Sequence, residues 1–151
     1  MFAKILVPTD FSVCADAALD RAIQVAKLAG GEVHLLHVYE IPTLAGEASI
    51  ALPQEILDQL RENAKQGIAE RISKLAAAGV TASGHVVCDS PLRAILDTVA
   101  KEHVDLIVMG THGRTGLKHV LFGSIAERTV RLAACPVMTV KPSYPERETV
   151  H

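Results

Sequence analysis

The chain reads as an α/β domain: a single open, mostly parallel five-stranded sheet with helices on both faces, Rossmann-like in outline. Three observations predict it. Short apolar runs alternate with stretches of helical period in the order βαβαβαβαβ. Each run is short enough for a buried strand, and each is followed by helix-start or turn chemistry. Finally, 151 residues with 49% hydrophobic and 21% charged side chains suit one domain with a substantial core.

The elements follow in order. Lys4 to Pro8 is a first strand ending at Thr9-Asp10. Ser12 is placed to cap a helix that runs to about Ala29, with Leu19, Ile23 and Ala26 inward, and Gly30-Gly31 stops it. Val33 to Tyr39 is the second strand. Residues 40–53 carry Pro42, Gly46 and Pro53 without periodicity and read as a mobile loop. From about Glu55 to Ala78, Leu57, Leu60, Ala64, Ile68, Ile72 and Leu75 mark one face of a long amphipathic helix, stopped at Gly79. Val80 to Val87 is the third strand. Ser90-Pro91 combines a cap with proline at the first helical position, and Leu92, Ile95, Leu96 and Val99 form the inner stripe behind it. Leu106 to Met109 is the fourth strand, Gly123 to about Ala133 a helix, and Pro136 to Val140 the fifth strand. The domain spans 1–142, and the polar segment 143–151, from Ser143, reads as a flexible tail.

The chemistry concentrates in MGTHGRTGLKHVLFGS, residues 109–124. Gly110 and Gly113 open a loop directly off a strand end, and Gly123 closes it at a helix start, followed by Ser124. Glycine lets the backbone bend sharply and approach a ligand closely. A helix N-terminus presents unpaired N–H groups to an anion. The segment is therefore a candidate phosphate cradle. In an open parallel sheet, ligands bind beyond the carboxyl ends of the strands where the strand order reverses. If strands one and four are neighbours, Asp10 and the glycine loop face one crevice. Asp10 is then a candidate for ribose hydroxyls or a metal-linked role, against the commoner fate of such an Asp as a turn residue. Ser124 and Glu127 spell S-x-x-E, a capping box, and capping is compatible with phosphate contact. Arg114 is a candidate phosphate contact from its place in the loop, whereas Lys118, His119 and His112 read as structural or solvated.

Several function classes are disfavoured. A net charge of −2 and 3% aromatic residues, with no Trp, argue against nucleic-acid binding. The odd set Cys14, Cys88 and Cys135 suits a reducing cytoplasm better than a disulfide frame. No run approaches a membrane span and no signal peptide is visible, so a cytoplasmic protein without membrane contact is expected. His34 and His37, three apart on a strand, point to opposite faces, and His85 and His103 lack ligand spacing, so no structural metal site is expected. The spacing is not G-x-G-x-x-G, which weakens a redox dinucleotide reading.

Residues ILVPTDFS near the start, LLHV at 35–38, IVMGTHGRTGL at 107–117, FGSIAERTVR at 122–131 and CPVMTV at 135–140 together resemble the universal stress protein family, in its nucleotide-binding branch, over Lys4 to Lys141. The resemblance implies a sheet of order 3-2-1-4-5 that binds ATP without a Walker loop. It implies that Pro8, Thr9 and Asp10 line the base and ribose side, and that Val38 meets the adenine edge through its backbone. Met109 and Gly110 would flank the ribose. Gly113, Gly123, Ser124 and Ile125 would hold the phosphates through main-chain N–H groups and the Ser hydroxyl. It also implies a homodimer paired through the last strand, Pro136 to Val140. Asp89 stands where many relatives have Gly; Asp tolerates the left-handed conformation, so the turn is expected to survive, with an extra carboxylate near the cleft rim. Mg²⁺ would arrive with the nucleotide. The function so implied is an ATP-dependent regulatory switch in stress response, acting on a downstream protein partner that the residues do not identify. The competing readings are a slow ATPase or autophosphorylating enzyme, for which no residue clearly positions a water, and a structural dimer module with a vestigial cleft.

Overall fold

The computed structural model describes residues 1–41, 52–113 and 122–142. Five strands, β1 (Lys4–Pro8), β2 (Glu32–Tyr39), β3 (Ala82–Cys88), β4 (Leu106–Gly110) and β5 (Val137–Val140), form one sheet in the order β3-β2-β1-β4-β5. Every pairing is parallel. Four helices connect them: α1 (Val13–Ala29), α2 (Gln54–Ala77), α3 (Pro91–Glu102) and α4 (Ser124–Leu132).

Successive strand residues point to opposite faces, and the core divides accordingly. Ile5, Val7, Val33, Leu35 and Val108 pack with Ala18, Leu19 and Ala22 of α1 and Ile68 and Leu75 of α2. Leu6, Leu36, Ile107 and Met109 pack on the other face with Ala94, Ile95 and Val99 of α3 and Ala126 of α4. A parallel sheet covered on both faces needs such continuous apolar strands. The chain leaves β1 towards β2 and β3, then returns to place β4 on the far side of β1. The crevice between the carboxyl ends of β1 and β4 is therefore the switch point of the sheet.

The ends of the elements show where local chemistry decided. Ser12 caps α1, its hydroxyl accepting from Ala15 N at 3.2 Å. Gly30 closes that helix in the left-handed conformation at φ 66°, its N–H donating to Ala26 O. Pro91 opens α3 as expected, but the Ser90 side chain makes no cap bond. His103 ends α3 in the left-handed region at φ 53°, a position without a glycine to announce it. The third strand begins two residues later than its apolar pattern suggested, because Val80 is bonded back to Leu75 O as part of the α2 terminus. Leu60 is exposed, and only Ala64, Ile68 and Leu75 of α2 are buried. Segments 42–51 and 143–151 lie outside the described residues, and with them most of the expected mobile loop and the tail.

Candidate functional site

A cavity of about 250 Å³ opens at the switch point. Pro8, Thr9 and Asp10 reach it from the end of β1, and Val38 from the end of β2. Met109, Gly110 and Gly113 line it from β4 and the residues after it, and Gly123, Ser124 and Ile125 from the start of α4. Every sequence-predicted site residue within the described chain thus borders one space; Arg114 lies outside the described residues.

The wall from β1 is a tight turn. Thr9 N donates to Leu36 O at 2.9 Å, which ties the turn to β2. Phe11 N donates to the Thr9 hydroxyl at 3.1 Å, and Ser12 N to Asp10 Oδ1 at 3.0 Å. Phe11 itself has φ 65°, a left-handed conformation that a bulky residue rarely takes. It reverses the chain so that Asp10 faces the cavity while the Phe11 ring packs into the core on the α1/α2 face.

The opposite wall depends on absent side chains. A Cβ on Gly110 would stand 2.9 Å from the Cys14 carbonyl carbon and oxygen, so this glycine allows α1 to lie against the end of β4. A Cβ on Gly113 would stand 2.9 Å from Asp10 Oδ2, so this glycine lets the Asp10 carboxylate and the loop backbone meet. The N–H of Gly123 donates to Thr111 O at 2.7 Å. Gly123 is thus occupied in closing the loop and serves as the N-cap of α4, while Ser124 is its first helical residue. The expected capping box is not formed: Ser124 sits one position inside the cap, the N-cap Gly123 has no side chain to make a cap bond, and the Glu127 carboxylate accepts from Arg131 Nη1 at 3.0 Å. The N–H groups that open α4, those of Ser124, Ile125 and Ala126, precede the first intrahelical bond and lie along the cavity.

Between the walls the floor is apolar. Leu36, Pro91, Ile95 and Ala126 join Val38 and Met109 there, with Ala15, Thr111 and His112 nearby. Ile95 was legible as a core position, but its place under the site follows from strand order, which periodicity does not reveal. His112 Nδ1 lies 3.0 Å from the Thr111 hydroxyl. Asp10 is the one carboxylate among the described lining residues, and no group of three metal-ligating side chains occurs among the described residues. Asp89 does not take the left-handed conformation anticipated for it; its Oδ1 accepts from Ser90 N at 2.7 Å, and it is not among the lining residues.

A second space of about 560 Å³ lies at the open β3 edge, between Ile68 and Ile72 of α2 and Thr98 and Lys101 of α3. It is larger, but it borders none of the glycine-loop residues and no helix start. The arrangement of the smaller cavity is the chemically specific one: an apolar slot, one carboxylate and a row of helix-opening N–H groups. No helix among the described residues is long and apolar enough to cross a membrane.

Comparisons with known proteins agree with this architecture. The family model for the universal stress protein family matches residues 1–141. The chain is 34% identical over 142 residues to universal stress protein MJ0531 of Methanocaldococcus jannaschii, covering 93% of this chain and 83% of that protein. It is 32% identical to universal stress protein YxiE of Bacillus subtilis, covering 93% and 100%. Among solved structures, the MJ0577 protein superposes with a TM-score of 0.82 at 34% identity, covering 96% of this chain and 99% of that one. Two further universal stress proteins share the fold: one in complex with cAMP (TM-score 0.70, 22% identity) and one from Archaeoglobus fulgidus in complex with dAMP (TM-score 0.66, 23% identity). By the match along nearly its whole length, the chain belongs to the universal stress protein family.

Proposed function

We propose that this protein binds an adenine nucleotide, ATP with or without Mg²⁺, in the switch-point crevice, and that occupancy acts as a regulatory switch in the cytoplasmic stress response. One observation carries the reading: apolar side chains, a carboxylate and a helix N-terminus border a single cavity. In this reading the base enters between Val38, Ile95 and Met109, with the backbone of Val38 at its edge. Asp10 accepts from the ribose hydroxyls beside Thr9, Pro8 and Gly110. The phosphates meet Gly113 and the N–H groups of Ser124, Ile125 and Ala126, where the helix dipole favours negative charge. Arg114 adds a charge-assisted contact to them. Mg²⁺ is held mainly by the phosphates, with Asp10 the carboxylate at hand.

The neighbours that bind cAMP and dAMP establish the fold for this chain and are compatible with the reading, which rests on this chain's own residues. The open edge of β5 suits pairing with the same strand of a second copy, because an unpaired edge invites another strand. Thr139→Pro would remove a strand donor, and sedimentation should then report a monomer if that edge makes the dimer.

The direct test is to denature the purified protein and identify the released nucleotide by ion-exchange chromatography. ATP near one per chain supports the switch. ADP alone transfers weight to slow hydrolysis. Release of no nucleotide, with no heat on titrating ATP and Mg²⁺, defeats the assignment. Gly123→Val should abolish binding, and a variant retaining wild-type affinity contradicts the cradle.

A further inference from the structure

We infer that Arg71, on α2 and outside the crevice, is a positioning residue for the nucleotide site, acting through Phe11 on the Asp10 turn. The inference rests on the proposed nucleotide reading. Its starting point is the left-handed backbone of Phe11 (φ 65°). A phenylalanine stays there only where its surroundings over-determine it.

The surroundings do so through side chains more than twenty residues away in sequence. The Phe11 ring stacks on His37, centroids 4.2 Å apart and planes at 17°. The Arg71 guanidinium lies 4.6 Å from the Phe11 ring centroid, within cation–π range. Arg71 is itself held in a fork on Asp16, Nε to Oδ1 at 2.8 Å and Nη2 to Oδ2 at 3.0 Å. The same guanidinium donates to Gly67 O at 3.1 Å and to Phe11 O at 3.4 Å. His37 Nδ1 lies 2.8 Å from Thr9 O; since a carbonyl only accepts, Nδ1 carries the proton and donates. The carbonyls on either side of Asp10 are therefore each anchored, Thr9 O by His37 and Phe11 O by Arg71.

Gly67 completes the device. A Cβ there would lie 2.6 Å from Phe11 Cζ and 2.8 Å from both Cε atoms. The ring tip thus occupies the space a side chain on α2 would fill. A glycine in the middle of a 24-residue helix is otherwise unfavourable. Only arginine supplies the fork, the planar face and the extra donors together; lysine has a single point charge. The side of α2 that carries Gly67 and Arg71 therefore determines where the Asp10 carboxylate stands.

The test compares ATP with 2′,3′-dideoxy-ATP by titration calorimetry, alongside thermal melting. The wild type should favour ATP over the dideoxy analogue, because Asp10 accepts from the ribose. Arg71→Met should weaken ATP binding by about tenfold, the scale of one hydrogen bond to a charged group. The ratio between the two ligands should fall towards one, because the loss lies at the ribose. Arg71→Lys should recover part of that ratio. A lowered melting temperature with an unchanged ratio shows a merely structural role and overturns the inference. Should Arg71→Met fail to fold, Gly67→Ala decides: it keeps Arg71 and favours the helix, yet displaces the ring and should lower the ratio, and an unchanged ratio there overturns it equally. If the wild type binds ATP no better than the dideoxy analogue, the Asp10–ribose contact fails and the inference with it. If it binds neither, the nucleotide reading itself has failed.

Discussion

The ends of β1 and β4 face each other across the crevice but are held in shape by different means. At the end of β1, side chains fix the backbone: Thr9 and Asp10 accept from N–H groups inside the turn, and Phe11 is clasped between α2 and β2. At the end of β4 it is the missing side chains that matter, with Gly110 against Cys14 and Gly113 against Asp10. The first wall can place a carboxylate accurately. The second can bring bare backbone close to an anion. A nucleotide, with a ribose and a phosphate chain, asks for both kinds of surface.

Breaking the β4 wall at its base should have the largest effect. In Gly110→Ala the new Cβ meets the Cys14 backbone, which cannot swing aside as a side chain would. Overpacking of this kind costs about 1–3 kcal/mol, which at this chain length lowers the melting temperature by roughly 2–4 °C for each kcal/mol. Differential scanning calorimetry would read it directly.

Gly113→Ala separates stability from binding. Its Cβ meets Asp10 Oδ2, the end of a side chain that can turn. The melting temperature should stay close to wild type, while ATP affinity falls by about tenfold as the carboxylate leaves its place. Equal affinity would show that the two walls do not cooperate.

Ser12→Ala tests the β1 wall more gently. It removes the hydroxyl that accepts from Ala15 N, and loss of such a cap costs about 1 kcal/mol. Stability should drop by that amount in a denaturant melt with little change in nucleotide affinity, since the Thr9 and Asp10 bonds remain.

The smallest effect concerns thiol chemistry, with Cys14 as an internal reporter of whether the walls stay together. Cys14 is buried, its Sγ 3.8 Å from the Thr111 hydroxyl, whereas Cys88 is exposed. Burial pushes the Cys135 thiol above its ordinary value. A raised value means less thiolate at a given pH, so Cys135 alkylation should lag at neutral pH and accelerate as pH rises through the shifted value. Mass spectrometry after brief alkylation should give Cys88 first, Cys135 later and Cys14 last. Gly110→Ala should advance Cys14.

Much of this was legible in the residues, and the remainder has physical reasons for being hidden. The first strand, Lys4–Pro8, the fourth, read as Leu106 to Met109, the Ser12 cap and the Pro91 helix start are local chemistry, and local chemistry is readable. The convergence of Asp10 with the glycine loop depended on strand order, which the family motifs supplied and the sheet confirms. Ser124 illustrates the limit of a motif. S-x-x-E matches a capping box, but the bond from Gly123 N to Thr111 O moves the cap one residue earlier. Leu60 has the right period for a core face, but it is exposed, and the burial of α2 begins only at Ala64. The Phe11 clasp joins positions 11 and 37 to the i, i+4 pair 67 and 71 of α2, and no spacing rule relates that pair to the other two. Gly67 had no visible signal beyond being a glycine inside a helical pattern, which marks close packing without naming the partner.

The central claim is that the crevice between β1 and β4, and not the larger space at the β3 edge, receives the nucleotide. Amide shifts in a ¹⁵N-labelled sample titrated with ATP and Mg²⁺ test it most directly. The account predicts the largest changes at Thr9, Asp10, Val38, Gly110, Gly113, Ser124 and Ile125. Changes centred on Ile68, Gly84, Val86 and Lys101, with the first set unmoved, would contradict it.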